Sequence, residues 1–257
     1  MRDHLIIIKV GGKIVEEEVP LRSLLKDFSR IAGAKILVHG GGKSATALAE
    51  KLGIETKIID GRRITDAETL KVATMVYAGL VNKNVVAGLQ AFGNNAIGLT
   101  GADLDIIRAA KRPVGDIDYG FVGDINWVNA QALSELLGNG AVPVIAPITH
   151  DGKGSLLNTN ADTIASELGT SLCTRYEVRL IFCFEKPGVL MDENDEKSVI
   201  QEIDPKMFEE LKAKGVISGG MIPKLENSFE ALKAGVKQVV ITRADLIQTK
   251  GGTIVIL

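Results

Sequence analysis

The stretch Lys35-Ile-Leu-Val-His-Gly-Gly-Gly42 decides how the rest of the chain is interpreted. Its run Ile36-Leu37-Val38 is short and apolar, which is typical of a buried parallel strand. Three glycines follow at once, and residues 44–52 that come next are rich in helix-forming types. A strand, a glycine loop and a helix in this order bring backbone N–H groups beside the positive end of a helix, so the stretch predicts a phosphate or carboxylate site.

Two common phosphate-binding motifs do not fit this stretch. Gly42-Lys43-Ser44 resembles the end of a P-loop, but that motif needs a glycine where Leu37 stands. The dinucleotide motif G-x-G-x-x-G fails because Ala45 occupies the place of its last glycine. A plain tight turn is the simpler alternative. Three consecutive glycines weigh against it, because they are costly in conformational entropy.

The composition excludes several classes of function for this chain. The 257 residues are 46% hydrophobic, enough for one large α/β domain or two smaller ones. A net charge of −2 argues against a surface for nucleic acid or anionic membrane. Cys173 and Cys183 stand in apolar surroundings and predict buried free thiols rather than a disulfide or metal site. The histidines are scattered at His4, His39 and His150, so we expect no protein-held metal.

The N-terminus begins directly with strand-like sequence. We therefore expect no signal peptide, and we expect no apolar run long enough to cross a bilayer. Together with the free thiols, this predicts a cytoplasmic protein.

Apolar strand runs alternate with helical segments along most of the chain. Strands are predicted at 5–10, 35–39, 56–59, 95–99, 142–146, 178–184, 238–242 and 253–257. Helices are predicted at 21–32, 43–52, 66–92 (two helices, or one bent near Gly79), 128–139, 163–172, 204–214 and from about Lys224 to 234. Residues 101–124 are polar and glycine-punctuated, and predict a hairpin and loop with an alternating segment at 117–122. The order predicts an α/β fold, a three-layer αβα sandwich with a mostly parallel central sheet and ligands at the carboxyl ends of its strands.

Lys9 is the first candidate site residue. It lies inside the apolar run Leu5–Val10, and Gly11 and Gly12 follow directly. Burying an ammonium group is costly unless an anion meets it. A lysine at the carboxyl end of this strand is therefore expected to point at whatever the glycines bind. The alternative is that its long stem carries the charge to solvent.

Asn158, Asn160 and Asp162 are three short polar residues at alternate positions before a predicted helix. In extended backbone, side chains two positions apart project to one face, so the three would start out aligned as a site. The alternative is an ordinary polar loop in which Asn160 or Asp162 caps the helix.

Three basic residues are further candidates. Arg62 and Arg63 beside a turn could clamp a carboxylate in fork geometry, or could equally be solvated loop charges. Lys224 lies near the start of a predicted helix, where acidic side chains are usual. A lysine there makes sense if it reaches outward to a bound anion, but a solvated surface lysine is the commoner case.

Five motifs carry a resemblance to a known family. They are Lys9-Val-Gly-Gly12, His39-Gly-Gly-Gly42, Gly61-x-Arg63-x-Thr65, Asn158-Thr-Asn-Ala-Asp162 and Ser218-Gly-Gly-Met-Ile-Pro-Lys224. In this order and spacing, the chain resembles the amino acid kinase family from Leu5 to its C-terminus. Within that family it is similar to the N-acetylglutamate kinases of arginine biosynthesis.

The resemblance implies transfer of the γ-phosphoryl group of MgATP to the side-chain carboxylate of an N-acylated glutamate, giving an acyl phosphate. ATP would bring the Mg²⁺ with it. The protein would act by positioning the reactants and neutralising their charge. Lys9 and Lys224 would contact the ATP phosphates and the migrating phosphoryl group. Asp162 would hold both lysines by charge pairing, and the backbone N–H groups of Gly12 and Gly42 would stabilise the transferring group.

The resemblance also implies where the two substrates lie. Gly41, Gly42, Arg63 and Asn158 would hold the acylated amino acid, with Arg63 on its α-carboxylate and Asn160 near the same site. Residues 1–174 would form the lobe for this substrate and for dimerisation, and residues 175–257 the ATP-binding lobe. Besides Lys9, Gly12 and Lys224, the ATP-binding residues would be Glu185, Gly188, Leu190, Ser218, Gly220 and Met221.

Two features depart from the family's pattern. Many relatives carry an Asp and then a small or apolar residue where this chain has Glu185-Lys186. This difference concerns the geometry of the part of the site that would bind the nucleotide, and not the reaction. The chain also begins almost at its first strand, whereas arginine-inhibited members carry an extra N-terminal helix that interlaces dimers into a hexamer. We therefore expect a homodimer that arginine does not inhibit.

The motifs leave the acyl group open. Kinases of the same fold that act on N-succinylglutamate or on an N-acylaminoadipate are alternatives, as is another small-molecule kinase acting on a carboxylate or phosphate. A non-catalytic ligand-binding relative is the alternative from a different class. The joint presence of Lys9, Asp162 and Lys224 argues against it, because a pure binder does not need to stabilise transition-state charge.

Overall fold

An eight-stranded sheet forms the centre of the computed structural model, which describes residues 2–59, 62–248 and 251–257. The strands are β1 Asp3–Val10, β2 Ala34–His39, β3 Ile58–Ile59, β4 Arg62–Arg63, β5 Ala96–Leu99, β6 Ile107–Lys111, β7 Gly123–Val128, β8 Val142–Ile145, β9 Ile148–His150, β10 Leu156–Asn158, β11 Tyr176–Phe184, β12 Glu202–Ile203, β13 Gln238–Arg243 and β14 Thr253–Val255. The central sheet has the order β12-β14-β13-β11-β1-β2-β8-β5. Its neighbouring strands are parallel except for β13 and β14, so the predicted fold class is confirmed.

Helices cover both faces of this sheet. They are α1 Gly12–Glu16, α2 Glu18–Ser29, α3 Gly42–Lys51, α4 Ala67–Thr74, α5 Asn82–Ala91, α6 Ala130–Gly138, α7 Ala161–Leu172, α8 Pro205–Ala213 and α9 Met221–Lys233. Short 3₁₀ turns lie at Asp103–Asp105 and Ala244–Leu246. Helices α1 to α5 contribute to one apolar core, and α6 to α9 to the other.

The alternation of β1 explains where Lys9 points. Leu5 and Ile7 belong to the core beneath α7 and α9, whereas Ile8 and Val10 belong to the opposite core. Successive side chains of a strand project to opposite faces. Lys9 therefore lies on the α7 and α9 face. It also stands at the carboxyl end of the strand, as the sequence predicted.

The long helical stretch contains a π-helix, Met75–Val81, between α4 and α5. The predicted irregularity near Gly79 is thus a widened turn. By length and composition alone, Ala67–Ala91 could cross a membrane, so the expectation that no such run exists was wrong. Here it is partly buried: its Val72, Val85 and other apolar residues belong to the core, and a core helix passes the same test.

The hairpin predicted within residues 101–124 is confirmed in part. Strands β6 and β7 pair antiparallel across a loop, but the alternating residues 117–122 lie in that loop and do not form a strand. Gly120 takes a positive φ of 70°, which interrupts the extended backbone. With β9 and β10, which the sequence did not reveal, β6 and β7 form a separate four-stranded sheet in the order β10-β9-β6-β7. Strand β10 ends at Asn158, so the predicted site residues 158–162 begin at the end of this strand.

The two thiols behave as predicted. Cys173 and Cys183 are free and buried, and burial raises the pKa of Cys183 to about 12. Among the described residues, no group of three or more His, Cys, Asp or Glu is placed to hold a metal ion.

Candidate active site

A cavity of about 300 Å³ opens where β1, β2 and β10 end. The glycine loop 40–42 forms one wall, and residues 158–162 form another. Charged groups from Lys9, Arg62, Arg63 and Asp162 share the lining with apolar side chains such as Val122. A concave site of this size with a few converging polar groups is typical of a small-molecule pocket.

Lys9, Asp162 and Lys224 form the charged centre of the site. Nζ of Lys9 lies 2.8 Å from Oδ1 of Asp162, and Nζ of Lys224 lies 3.1 Å from Oδ2. The lysine side chains are 11% exposed and the aspartate side chain is 18% exposed. The three charges sum to +1, so the centre has positive charge left over for an anion.

Electrostatics keep Asp162 ionised. Burial alone would raise the pKa of Asp162, but the ammonium groups of Lys9 and Lys224 outweigh it and lower the pKa to about 2. Burial lowers the pKa of Lys224 and nearby Lys9 lowers it further, against the opposing effect of Asp162. The aspartate therefore acts as the common counter-ion of two cations.

Three separate elements deliver these side chains. Lys9 comes from β1, Asp162 from the first turn of α7, and Lys224 from the first turn of α9. An acidic residue in a first helical turn is favourable, so α7 stabilises Asp162 in its ionised form. Lys224 also lies over the ring of Phe182, 5.5 Å from its centroid.

Backbone nitrogens of two glycine segments converge beside the lysines. A Cβ atom on Gly12 would lie 3.3 Å from the nitrogen of Gly41 and 3.4 Å from that of Gly42, and a Cβ on Gly40 would lie 3.1 Å from the nitrogen of Gly12. Because glycines carry no side chain, the two segments can approach each other this closely. The α3 helix begins at Gly42 and adds its positive end. We refer to the nitrogens of Gly12, Gly41 and Gly42 as the amide cluster.

Arg63 lines the same cavity and is buried. Its Nη2 donates to the carbonyl of Gly42 and to Oγ1 of Thr46, both at 2.8 Å. Its Nη1 is buried and has no hydrogen-bond partner in the described part of the chain. A guanidinium with one nitrogen anchored and one unsatisfied is suited to a carboxylate ligand.

Asn158 and Asn160 share the cavity wall but have different local roles. Nδ2 of Asn158 donates to Oγ1 of Thr65 at 3.0 Å. Oδ1 of Asn160 accepts from the backbone nitrogens of Asp162 and Thr163 and so caps α7. The structure thus brings Asn158, Asn160 and Asp162 to one cavity. It also shows that Asn160 caps α7, which was the alternative interpretation of the sequence.

The predicted nucleotide residues lie around a second, smaller cavity. It measures about 130 Å³ and is lined by Gly188, Leu190, Ser218 and Met221 among others. Complete ligand sites usually measure roughly 300 to 1,000 Å³, so this cavity can receive only one end of a nucleotide. Gly220 precedes α9 as its N-terminal flanking residue.

Glu185 does not join this group. Its carboxylate pairs with Nζ of Lys13 at 2.8 Å, and it lines a different cavity of about 350 Å³. Gly61 of the third motif lies outside the described residues.

Sequence reasoning missed Tyr77, which lines the cavity from the π-helix. Its ring would lie 2.9 Å from a Cβ on Gly41, and burial raises its pKa. A tyrosine inside an apolar helical run predicts a core residue, so nothing local marked it. It also missed Glu16, whose Oε1 accepts from the backbone nitrogen of Ser44 at 2.7 Å.

Comparison with known proteins gives consistent matches. The sequence profile described as the amino acid kinase family matches residues 4–243. The acetylglutamate kinase of Phocaeicola vulgatus is 66% identical over 255 residues, which cover 99% of each chain. The acetylglutamate kinase of Bacteroides thetaiotaomicron is 64% identical over 253 residues, which cover 98% of each. The structure of the smu.665 protein from Streptococcus mutans matches with a TM-score of 0.82 at 29% identity, covering 98% of each chain.

Proposed function

The chain belongs to the amino acid kinase family, and from this premise we propose that it acts as an acetylglutamate kinase. The reaction transfers the γ-phosphoryl group of ATP to the side-chain carboxylate of N-acetylglutamate, giving an acyl phosphate and ADP. This is a step of arginine biosynthesis. The observation that carries the proposal is the buried Lys9–Asp162–Lys224 centre beside the amide cluster.

The mechanism follows from where positive charge is fixed. A carboxylate oxygen of the substrate attacks the γ-phosphorus, and the bond to the β–γ bridging oxygen breaks, leaving its electron pair on ADP. Lys9, Lys224 and the amide cluster face the charge that spreads over the transferring group. Because Asp162 holds both ammonium groups in place beforehand, little reorganisation is needed during the transfer. Mg²⁺ would arrive on the nucleotide phosphates and neutralise part of their charge.

Arg63 and Asn158 orient the acceptor. The unsatisfied Nη1 of Arg63 is suited to the α-carboxylate of the amino acid. Asn158 and Asn160 face the same cavity and offer polar groups to the acylamide. Gly41 and Gly42 close the wall beside them. Fixing the acceptor at one end places its side-chain carboxylate toward Lys9.

The nucleotide is assigned to residues 175–257. The small cavity at Gly188, Leu190, Ser218 and Met221 fits one end of ATP, with the phosphates directed to Lys9, Gly12 and Lys224. Glu185 and Gly220 do not line that cavity, although residues next to each of them in the sequence do. The ion pair of Glu185 with Lys13 links residues from the two proposed lobes, 1–174 and 175–257.

The positive charge of Arg62 suits a second candidate for the acceptor substrate. This guanidinium lines the same cavity, and burial together with neighbouring Arg112 lowers its pKa. Asp124 is already engaged by Arg112 in a bidentate pair, in which Nε donates to Oδ2 and Nη2 donates to Oδ1. A second carboxylate on the acyl group, as in N-succinylglutamate, would relieve this local excess of positive charge.

We place the enzyme in the cytoplasm as a homodimer. Met75 and Leu80 are 54% and 59% exposed on the π-helix. The two residues stand five positions apart, the spacing that backbone hydrogen bonds join in a π-helix, and we propose that they share one side of it. An apolar surface of this kind is suited to a second copy of the chain.

The test is an ADP-release assay with MgATP and a panel of acceptors. The panel contains N-acetylglutamate, N-succinylglutamate, N-acetylaminoadipate, free glutamate, aspartate and uridylate, with hydroxylamine present to trap an acyl phosphate. We expect turnover with hydroxamate formation for N-acetylglutamate. Preference for N-succinylglutamate would select the second candidate. Protein that binds ATP but is silent with every N-acylated acid would overturn the proposal.

A further inference from the structure

His39 lies directly before the glycine loop and is fully buried. Its Nδ1 is 2.7 Å from the carbonyl oxygen of Gly40, and its Nε2 is 3.1 Å from Nδ2 of Asn82. A carbonyl only accepts and an amide nitrogen only donates. Nδ1 therefore carries the proton and Nε2 is the acceptor, which fixes one neutral tautomer of the ring.

The orientation of the Asn82 amide is fixed independently. Nδ2 also donates to the carbonyl of Val144 at 2.9 Å, and Oδ1 accepts from Nζ of Lys83 at 3.1 Å. Lys83 in turn donates to the carbonyl of Gly98 at 3.2 Å. Each donor meets an acceptor, so the hydrogen bonds run in one direction from Lys83 to Gly40.

This arrangement controls the peptide between Gly40 and Gly41. In a trans peptide the carbonyl and the N–H point in opposite directions. With its carbonyl held by His39, the N–H of Gly41 points away from the ring, and its nitrogen belongs to the amide cluster. Tyr77 and Val81 of the π-helix pack on the other side of Gly41. The loop is thus held by hydrogen bonds and by packing.

We propose that His39 is a positioning residue for the kinase reaction: held by Asn82 in its Nδ1–H form, it aims the Gly41 amide at the transferring phosphoryl group. The inference rests on the proposed function, because an amide aimed at the phosphoryl group raises kcat only by stabilising the transition state of the transfer. Asn82 acts through His39.

The neutral form persists over the range in which a kinase works. Burial lowers the pKa of His39 to about 4; the Gly40 hydrogen bond raises it, and the charge of nearby Lys83 lowers it further. The other groups that face the ring, Gly40 and Asn82, do not titrate. The tautomer is therefore set by hydrogen bonding and stays constant between about pH 5 and 8.

Two substitutions separate the ring's two contacts. The amide of His39→Asn can replace Nδ1 and reach Gly40, whereas that of His39→Gln can replace only Nε2. We expect His39→Gln to lower kcat by about 10- to 100-fold, as a misplaced reacting group does. KM for ATP and for the acceptor should stay within about threefold, and His39→Asn should recover part of kcat.

Lys35→Met is the matched control. Lys35 is a buried polar residue of the same strand, and its Nζ donates to the carbonyls of Phe28, Ser29 and Ile31. Its loss should reduce thermal stability and leave kcat of the folded protein within about twofold. If His39→Gln and Lys35→Met gave the same kcat, or if His39→Asn gave no recovery, the role of His39 would be structural only.

NMR supplies a readout that does not depend on turnover. Two-bond ¹⁵N–¹H spectra should show His39 in the Nδ1–H form, with its signals identified by their loss in His39→Asn. Finding the Nε2–H form in the native protein would overturn the inference even in an active kinase. If the native protein were silent in the acceptor panel, the proposed function would fail. The NMR chemical shifts of the Gly41 and Gly42 amides would then test whether His39 positions the loop. A positioning role requires these chemical shifts to change in His39→Gln and to stay unchanged in Lys35→Met.

Discussion

At the scale of single residues, the site depends on one carboxylate shared by two cations. Asp162 receives Lys9 and Lys224 on opposite oxygens. Without a phosphate in the site, each ammonium group needs that carboxylate because both are largely buried. In the proposed mechanism the same two ammonium groups meet the phosphoryl group during transfer, so stability and catalysis would depend on the same atoms.

Removing either lysine should affect turnover more than binding. Lys9→Ala or Lys224→Ala is expected to lower kcat by roughly 10²- to 10³-fold, the effect of losing one transition-state donor. Lys212→Ala is the control, since Lys212 forms an exposed ion pair with Glu226 and should keep full activity. Steady-state kinetics of the three variants would contradict the mechanism if Lys9→Ala kept nearly full turnover.

Replacing Arg63 should act on the acceptor. Arg63→Lys loses the fork geometry, and a hydrogen bond to a charged group is worth about 1.5–3 kcal/mol. We expect KM for the acylated amino acid to rise roughly 10- to 100-fold, with a smaller change in kcat and in KM for ATP. A rise confined to KM for ATP would show that Arg63 does not bind the acceptor.

The lowered pKa of Asp162 makes one contribution to stability depend on pH. An unfolded aspartate titrates near about 4, and Asp162 titrates at about 2. Its contribution is therefore complete above about pH 4 and is lost as the pH falls toward 2. Asp162→Asn should be less stable than the native protein at pH 6, and this gap should narrow by about 2 kcal/mol between pH 4 and pH 2. Urea unfolding at several pH values measures it, and a gap independent of pH would contradict the assignment.

At the scale of elements, the site is built where secondary structures begin and end. Strands β1 and β2 are each followed by glycines, α1 and α3 begin at glycines, and α7 and α9 contribute their first turns. The strand–glycine units could be predicted, because an apolar run followed by glycines is a local pattern. The helix α1 could not, because five residues contain too little periodicity.

The amide cluster can be tested by filling it. Gly12→Ala would place a methyl group 3.3 Å from the nitrogen of Gly41, in the space proposed for phosphoryl oxygens. We expect kcat to fall at least about tenfold. Gly138→Ala is the control, because a Cβ there meets nothing within 4 Å at the end of α6. Gly138→Ala should leave kcat unchanged, and equal kinetics of the two variants would argue against the cluster.

Local patterns alone did not reveal the contacts that join distant elements. Asp162 and Lys224 stand 62 positions apart, and only the family resemblance, not the residues around Lys224, implied that the two are paired. Tyr77 and Asn82 belong to a stretch whose pattern predicts only a buried helix. Lys9 and the 158–162 segment were found because a charged residue in a strand, or alternating amides before a helix, conflicts with a purely structural role.

At the scale of the whole molecule, one sheet spans both proposed lobes. Strand β11 of the second lobe pairs with β1 of the first along Asp3–Val10. The alternation of strands and helices predicted this parallel sheet correctly. The four-stranded sheet of β6, β7, β9 and β10 could not be predicted, since its strands are short and separated by loops.

The proposed homodimer can be tested on the exposed side of the π-helix. Met75→Glu with Leu80→Glu should shift the protein from dimer to monomer, because two charges would be buried in an apolar contact. Met191→Glu is the control, as Met191 is also about half exposed, at 49%, but lies outside this helix. Sedimentation measures the masses. A dimer unaffected by the double substitution would place the interface elsewhere, and a hexamer would refute the expected state.

The proposed reaction requires that a carboxylate oxygen of the acceptor become bonded to the γ-phosphorus. The most direct measurement uses N-acetylglutamate labelled with ¹⁸O in its side-chain carboxylate, with MgATP, followed by ³¹P NMR. We expect an acyl phosphate whose phosphorus signal carries the shift of one bonded ¹⁸O, formed with ADP and abolished in Lys224→Ala. ADP formation accompanied only by unlabelled inorganic phosphate would mean that water is the acceptor, and that the proposed reaction is wrong.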